Sequence, residues 1–87
     1  MLELKRKELE FKDYDGNLVK LNFPTAKDLM EFGKKANDIV LGKLDMSEHE
    51  LAKELLLKCN MKEELIDSLY YDHLVQIIEE LKGVKKN

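Results

Sequence analysis

The sequence predicts an α+β fold: an N-terminal β-hairpin followed by about four short α-helices, in a single small domain of 87 residues. Three observations predict it. Apolar and polar residues alternate on both sides of Asp15-Gly16. The alternation gives way to helical spacing after Pro24, and from there capping residues and glycines cut the pattern into short pieces. The expected layout is a hairpin region over 1–24, a helical region over 25–82 and a flexible tail over 83–87.

The first strand runs over Glu8 to Tyr14 and the second over Leu18 to Phe23, with Leu9, Phe11, Val19, Leu21 and Phe23 on one face. Between them, "KDYDGN" poses a choice between a calcium loop and a turn. A calcium loop starting at Asp13 needs Gly at its sixth position and Glu at its twelfth, where this chain has Leu18 and Pro24. Asp15-Gly16 is read as a turn, since Gly accepts positive φ and the Asp side chain bonds nearby backbone. A lone hairpin is marginal in water, so its apolar face needs a cover.

The first helix is expected over Ala26 to Leu41. Thr25 and Asp28 form its capping pair, Leu29, Phe32, Gly33, Ala36, Ile39 and Val40 its apolar stripe, and Gly42 its stop. A second helix starts after Asp45 or Ser47, with Met46 placed to staple onto Leu51 and with Leu51, Ala52, Leu55, Leu56 and Cys59 facing inward. Asn60 is expected to end it and to cap a third helix carrying Leu65, Ile66 and Leu69. Asp72 is expected to cap the last helix, which carries Leu74, Ile77, Ile78 and Leu81 and closes at Gly83. On this pattern Phe23→Asp or Phe32→Asp should unfold the domain by burying an unpaired charge.

Composition narrows the function classes. Charged residues are 38% of the chain and hydrophobic ones 44%, the net charge is −3, and there is no Trp. That suits a helix-rich folded protein with an aliphatic core and lacks the basic footprint of a nucleic-acid binder. The basic clusters at Lys5 to Lys7 and at Lys82, Lys85 and Lys86 are short. A lone cysteine, Cys59, precludes an internal disulfide and fits a reducing compartment. With no spanning apolar run and a charged start unlike a signal peptide, the expected location is the cytoplasm, away from membrane.

Catalytic and metal chemistry find little purchase. The two histidines, His49 and His73, have no Cys or His at ligand spacing, so no metal site is expected. No Gly-rich phosphate loop, nucleophile elbow or triad spacing occurs, and no cofactor is expected. Cys59 beside Lys58 lacks a general base and reads as a small buried residue, while Glu63-Glu64 and Glu79-Glu80 read as solvated acids that pair with lysines.

Asp67-Ser68-Leu69 resembles the triplet that opens a helix in acyl carrier proteins, which would make Ser68 a phosphopantetheine attachment point. The surrounding layout departs from that family, which has a long helix before the triplet and two after it, and no hairpin. Ser68 reads equally as a helix cap.

A wider likeness covers nearly the whole chain. The strand "LEFKDYDGN", a second strand running into "LNFPTAKDLMEFGKK", and then short capped helices resemble the small tail assembly chaperones of siphophages and prophages. That resemblance implies a non-enzymatic protein of the host cytoplasm that binds the tape measure protein, with tail tube subunits as further partners. It also implies a longer, frameshifted form, with which Lys85-Lys86-Asn87 is compatible. The binding surface is expected to be an exposed apolar stripe; Leu55, Leu56, Leu69, Tyr70, Tyr71 and Ile77 are its candidates, for a partner helix or for self-association. A carrier modified on Ser68 and a small adaptor or regulatory domain are the alternatives.

Overall fold

The computed structural model describes residues 1–83, so the expected tail from 84 onward and the Lys85 to Asn87 reading lie outside the described residues. Its elements are β1 (Glu8–Lys12), β2 (Leu18–Asn22), α1 (Ala26–Val40), α2 (Glu48–Lys58), α3 (Glu63–Ser68) and α4 (Tyr71–Lys82). The hairpin followed by four helices is the predicted α+β architecture.

The strands pair antiparallel with Leu9 opposite Leu21 and Phe11 opposite Val19, so one face is apolar, as the alternation requires. Leu21 is wholly buried, while Leu9, Phe11, Val19 and Phe23 are partly buried against the core. At the turn the Asp13 N–H donates to the Asn17 carbonyl (2.9 Å), the Gly16 N–H donates to the Asp13 carbonyl (3.1 Å), and Gly16 has φ 82°. This is a three-residue loop closed by a left-handed glycine. The acid that bonds the turn is Asp13, not Asp15. One oxygen of its carboxylate accepts the N–H groups of Asp15 (2.9 Å) and Asn17 (2.8 Å).

Thr25 and Asp28 cap α1 reciprocally, each side chain accepting the other's backbone N–H at 3.1 Å. Ser47, and not Asp45, caps α2 through the N–H of Glu50. Two other expected caps are corrected. Asn60 ends α2 in the left-handed conformation (φ 71°) and does not cap α3, which starts from Lys62 without a side-chain cap. Asp72 lies inside the first turn of α4, whose cap residue is Tyr70. The Tyr70 N–H is taken by the hydroxyl of Tyr14 from the hairpin loop, at 3.0 Å. Gly83 closes α4 at φ 75°, as expected.

Leu21 of the hairpin, Leu51, Leu55 and Leu56 of α2, Ile66 of α3, and Leu74, Ile77, Ile78 and Leu81 of α4 are buried. Cys59 and Met61, in the bend after α2, complete the buried set, and the Cys59 carbonyl accepts the N–H of Asn22 at 3.0 Å, tying β2 to the end of α2. By contrast α1 contains no buried residue: Phe32 is partly buried, and Gly33 and Val40 of its expected inward stripe are exposed. Phe23 and Phe32 are therefore only half-buried, and a carboxylate at either keeps access to water. The unfolding expected of Phe23→Asp and Phe32→Asp belongs instead to positions such as Leu21 and Leu56.

Candidate interaction groove

Because α1 packs on α2 along one side only, its apolar stripe and the neighbouring faces of α2 and α4 form an open groove of about 500 Å³. Phe32, Ala36 and Ile39 of α1 make one wall, Leu51 and Ala52 of α2 part of the floor, and Leu74 and Ile78 of α4 the other wall. Val40 (81% exposed), Tyr71 (60%) and Val75 (38%) stand at its lip. Glu48, His49, Glu79 and Lys82 supply a mixed polar rim, and the Lys82 ammonium lies 5.6 Å from the centre of the Phe32 ring. Such a surface offers aliphatic contacts in the middle and charge at the edge, the combination that seats an amphipathic helix.

α1 is held against α2 by the packing of Phe32 on the core and by two ion pairs. Lys35 pairs with Glu54, and Lys58 pairs with Glu31 at 2.9 Å, both between α1 and α2. The hydrogen bond and charge of Lys58 hold the Glu31 carboxyl below its usual range, and those of Glu31 raise Lys58. The Thr25 N–H likewise lowers Asp28. The Lys58–Glu31 pair is largely exposed and the Lys35–Glu54 pair half-buried, so they orient the helix more than they bind it.

The six residues expected at a partner surface divide. Leu55 (2% exposed), Leu56 (0%) and Ile77 (9%) are core; the two leucines are unavailable to a partner in this fold, and Ile77 shows only an edge, in a groove between β1 and α4 and not in this one. Leu69 is half-buried and reaches the groove, and Tyr71 stands at its lip. Tyr70 is 70% exposed but engaged elsewhere: its ring lies 5.3 Å from that of Tyr14, whose hydroxyl also hydrogen-bonds to His73 Nδ1 at 2.7 Å. Sequence reading assigned Phe32, Ile39 and Val40 to the core and did not single out Val75. For the three α1 residues the signal was the breadth of the α1 stripe, more apolar surface than the small hairpin covers.

The triplet around Ser68 does not have the carrier arrangement. Ser68 ends α3 instead of opening a helix, its hydroxyl donates to the Leu65 carbonyl (2.8 Å), and the Asp67 carboxylate accepts from Lys53 Nζ (2.9 Å). Nor does Ser68 cap α4, which starts from Tyr70. Lys53 also bonds Glu63, and these two acids raise its pKa, Asp67 most. Burial, aided by the Asp28 charge, pushes the Cys59 thiol up to about 11, opposite to the direction a nucleophilic thiolate needs. Among the described residues no group of His, Cys, Asp and Glu is arranged to hold a metal ion, and no helix is long and apolar enough to cross a membrane. Comparison with protein families, curated proteins and solved structures gives no match for this chain.

Proposed function

We propose that this protein is a non-enzymatic assembly chaperone of a bacteriophage tail, acting in the host cytoplasm, and that it holds an amphipathic segment of the helical tape measure protein until tail tube subunits assemble around it. The observation that carries this reading is the open apolar groove between α1, α2 and α4. The sequence resemblance to tail assembly chaperones supplies the identity of the partner. The part of α1 that lines the groove, Phe32 to Val40, spans about 12 Å, so the wall matches roughly two turns of a partner helix. Aliphatic anchors of that helix at i, i+3 or i+4 and i+7 would meet Phe32, Ile39 and Val75, while its polar face stays toward solvent.

The test begins with the coding regions that follow this gene, one of which should encode a very long, mostly helical protein. Co-expression with this chain should keep helical fragments of that protein in solution. Val40→Glu combined with Val75→Glu should abolish that effect while leaving the chaperone folded, since both side chains are exposed. Fragments equally soluble with the wild type, with the double variant and alone would refute the reading.

A further inference from the structure

The hairpin leaves one sheet edge open, and its chemistry specifies what closes it. The Phe23 N–H donates to the Lys7 carbonyl and the Asp13 N–H to the Asn17 carbonyl. With Leu9 opposite Leu21 and Phe11 opposite Val19, antiparallel alternation makes 7–23, 9–21, 11–19 and 13–17 the bonded pairs. Glu8, Glu10 and Lys12 therefore turn their N–H and C=O groups away from β2, and no described residue bonds them there. The outer edge of β2 differs, because the Asn22 N–H on that side is held by the Cys59 carbonyl. Beside the open edge of β1 lies an apolar groove of about 470 Å³, lined by Leu9, Phe11, Leu69 and Ile77 and backed by α4.

We infer that this edge pairs with the same edge of a second copy, β1 against β1 antiparallel with the two-fold axis at Glu10, giving a four-stranded sheet across a homodimer. Charge along the strand selects the occupant, and charge together with the apolar pairing selects the register. The segment entering β1 is basic, at Lys5 to Lys7, and the segment leaving it is acidic, at Asp13 and Asp15. An antiparallel copy therefore lays opposite signs against each other. With the axis at Glu10, Glu8 faces Lys12 of the second copy and Lys7 faces Asp13 of the second copy, each twice by symmetry. Leu9 then meets Phe11 of the second copy on the apolar face, which extends the lining of the groove. Sliding the axis to Leu9 sets Glu8 against Glu10 and Arg6 against Lys12; sliding it to Phe11 keeps opposite charges together, Glu10 with Lys12 and Lys7 with Asp15, but sets Leu9 against Asp13 and so breaks the pairing of Leu9 with Phe11 on the apolar face. The one like-charge contact in the chosen register, Glu10 against its own copy, is offset by Lys20, whose ammonium lies 3.8 Å from the Glu10 carboxylate within each hairpin. This inference concerns the face of the hairpin and α4, and it stands independently of the helix-binding groove.

Sedimentation equilibrium over a concentration series should show a monomer–dimer equilibrium that weakens with added salt. Glu10→Pro removes an outward N–H without touching the ladder to β2, so it should give a monomer with an unchanged helical circular dichroism spectrum. Glu8→Lys and Lys12→Glu should each weaken the dimer by about tenfold, and the two combined should restore it, since the swapped charges again face each other. For register, Glu10→Cys should form an intermolecular disulfide readily, because residues paired on the axis lie about 5.5 Å apart between Cα atoms. Glu8→Cys and Lys12→Cys should not, being separated from their own copies by about 13 Å. A wild-type chain that stays monomeric at millimolar concentration, a combined swap no better than the single changes, or faster cross-linking at 8 or 12 than at 10 would overturn the inference.

Discussion

Two neighbouring helices, α1 and α2, use their apolar residues in opposite ways. The longer α1 has 15 residues, a reciprocal capping box and a clean apolar stripe, yet it buries none of its residues. The shorter α2 has 11 residues, a one-sided cap and a less orderly pattern, yet Leu51, Leu55 and Leu56 are buried, with Cys59 just beyond. Local order in the sequence thus reports that a helix forms, and says less about whether its stripe is covered. Coverage depends on what else is available: Leu21 of the hairpin and Ile66 of α3 join α2 and α4 in the buried core, while α1 lies against α2 along one side, through Phe32 and two ion pairs, and keeps the rest of its stripe open. An amphipathic stripe left open beside a core is an unfilled apolar surface among the described residues.

The largest expected effect separates core from flank. Leu56→Ala should lower unfolding free energy by about 2–5 kcal/mol, as for other fully buried leucines. Phe32→Ala should cost clearly less, because part of that ring is already in water. Urea titrations of both variants read the difference directly, and equal losses would mean α1 is as much a part of the core as α2. Next in size, Thr25→Ala should cost about 1 kcal/mol through loss of the cap, seen as a lower melting temperature.

Acidification should loosen α1 selectively. Asp28 and Glu31 ordinarily titrate near 3.8 and 4.5, and both are held lower in the folded chain. A carboxylate with a depressed folded value stabilises at pH above its unfolded value, and that contribution disappears as pH falls through the folded value. Amide signals of α1 should therefore broaden on acidification below about pH 4, before those of α2; a simultaneous loss of both would contradict the polar fastening. The smallest effect concerns the groove's lip, where Val40→Ser should change stability by no more than about 0.5 kcal/mol and yet weaken binding of an amphipathic helix.

The same contrast explains what was legible in the sequence. The apolar face of each strand followed from alternation on either side of Asp15-Gly16, and the limits of α1 from Thr25, Asp28 and Gly42, because those signals lie within a few residues of what they specify. The cap of α4 was not legible. Tyr14, 56 positions from Tyr70, supplies its hydroxyl to the cap residue's N–H, and no local pattern announces a bond across that distance. Asn60 was misassigned for a related reason: one residue offered both a stop and a start, and its left-handed backbone committed it to ending α2. At the candidate site Tyr71 and Leu69 were found, but Leu55, Leu56 and Ile77 were placed on the surface and Phe32, Ile39 and Val40 in the core. Periodicity identifies a stripe without saying which of several stripes the small hairpin will cover.

Native-state hydrogen exchange across the whole chain tests the central claim most directly, that α1 is a flank helix whose apolar face is open while α2 and α4 hold the core. The account predicts that α1 amides exchange by local opening at a free energy clearly below that of global unfolding, and that the most protected amides of α2 and α4 exchange only with global unfolding. Protection of α1 equal to that of α2 would contradict it.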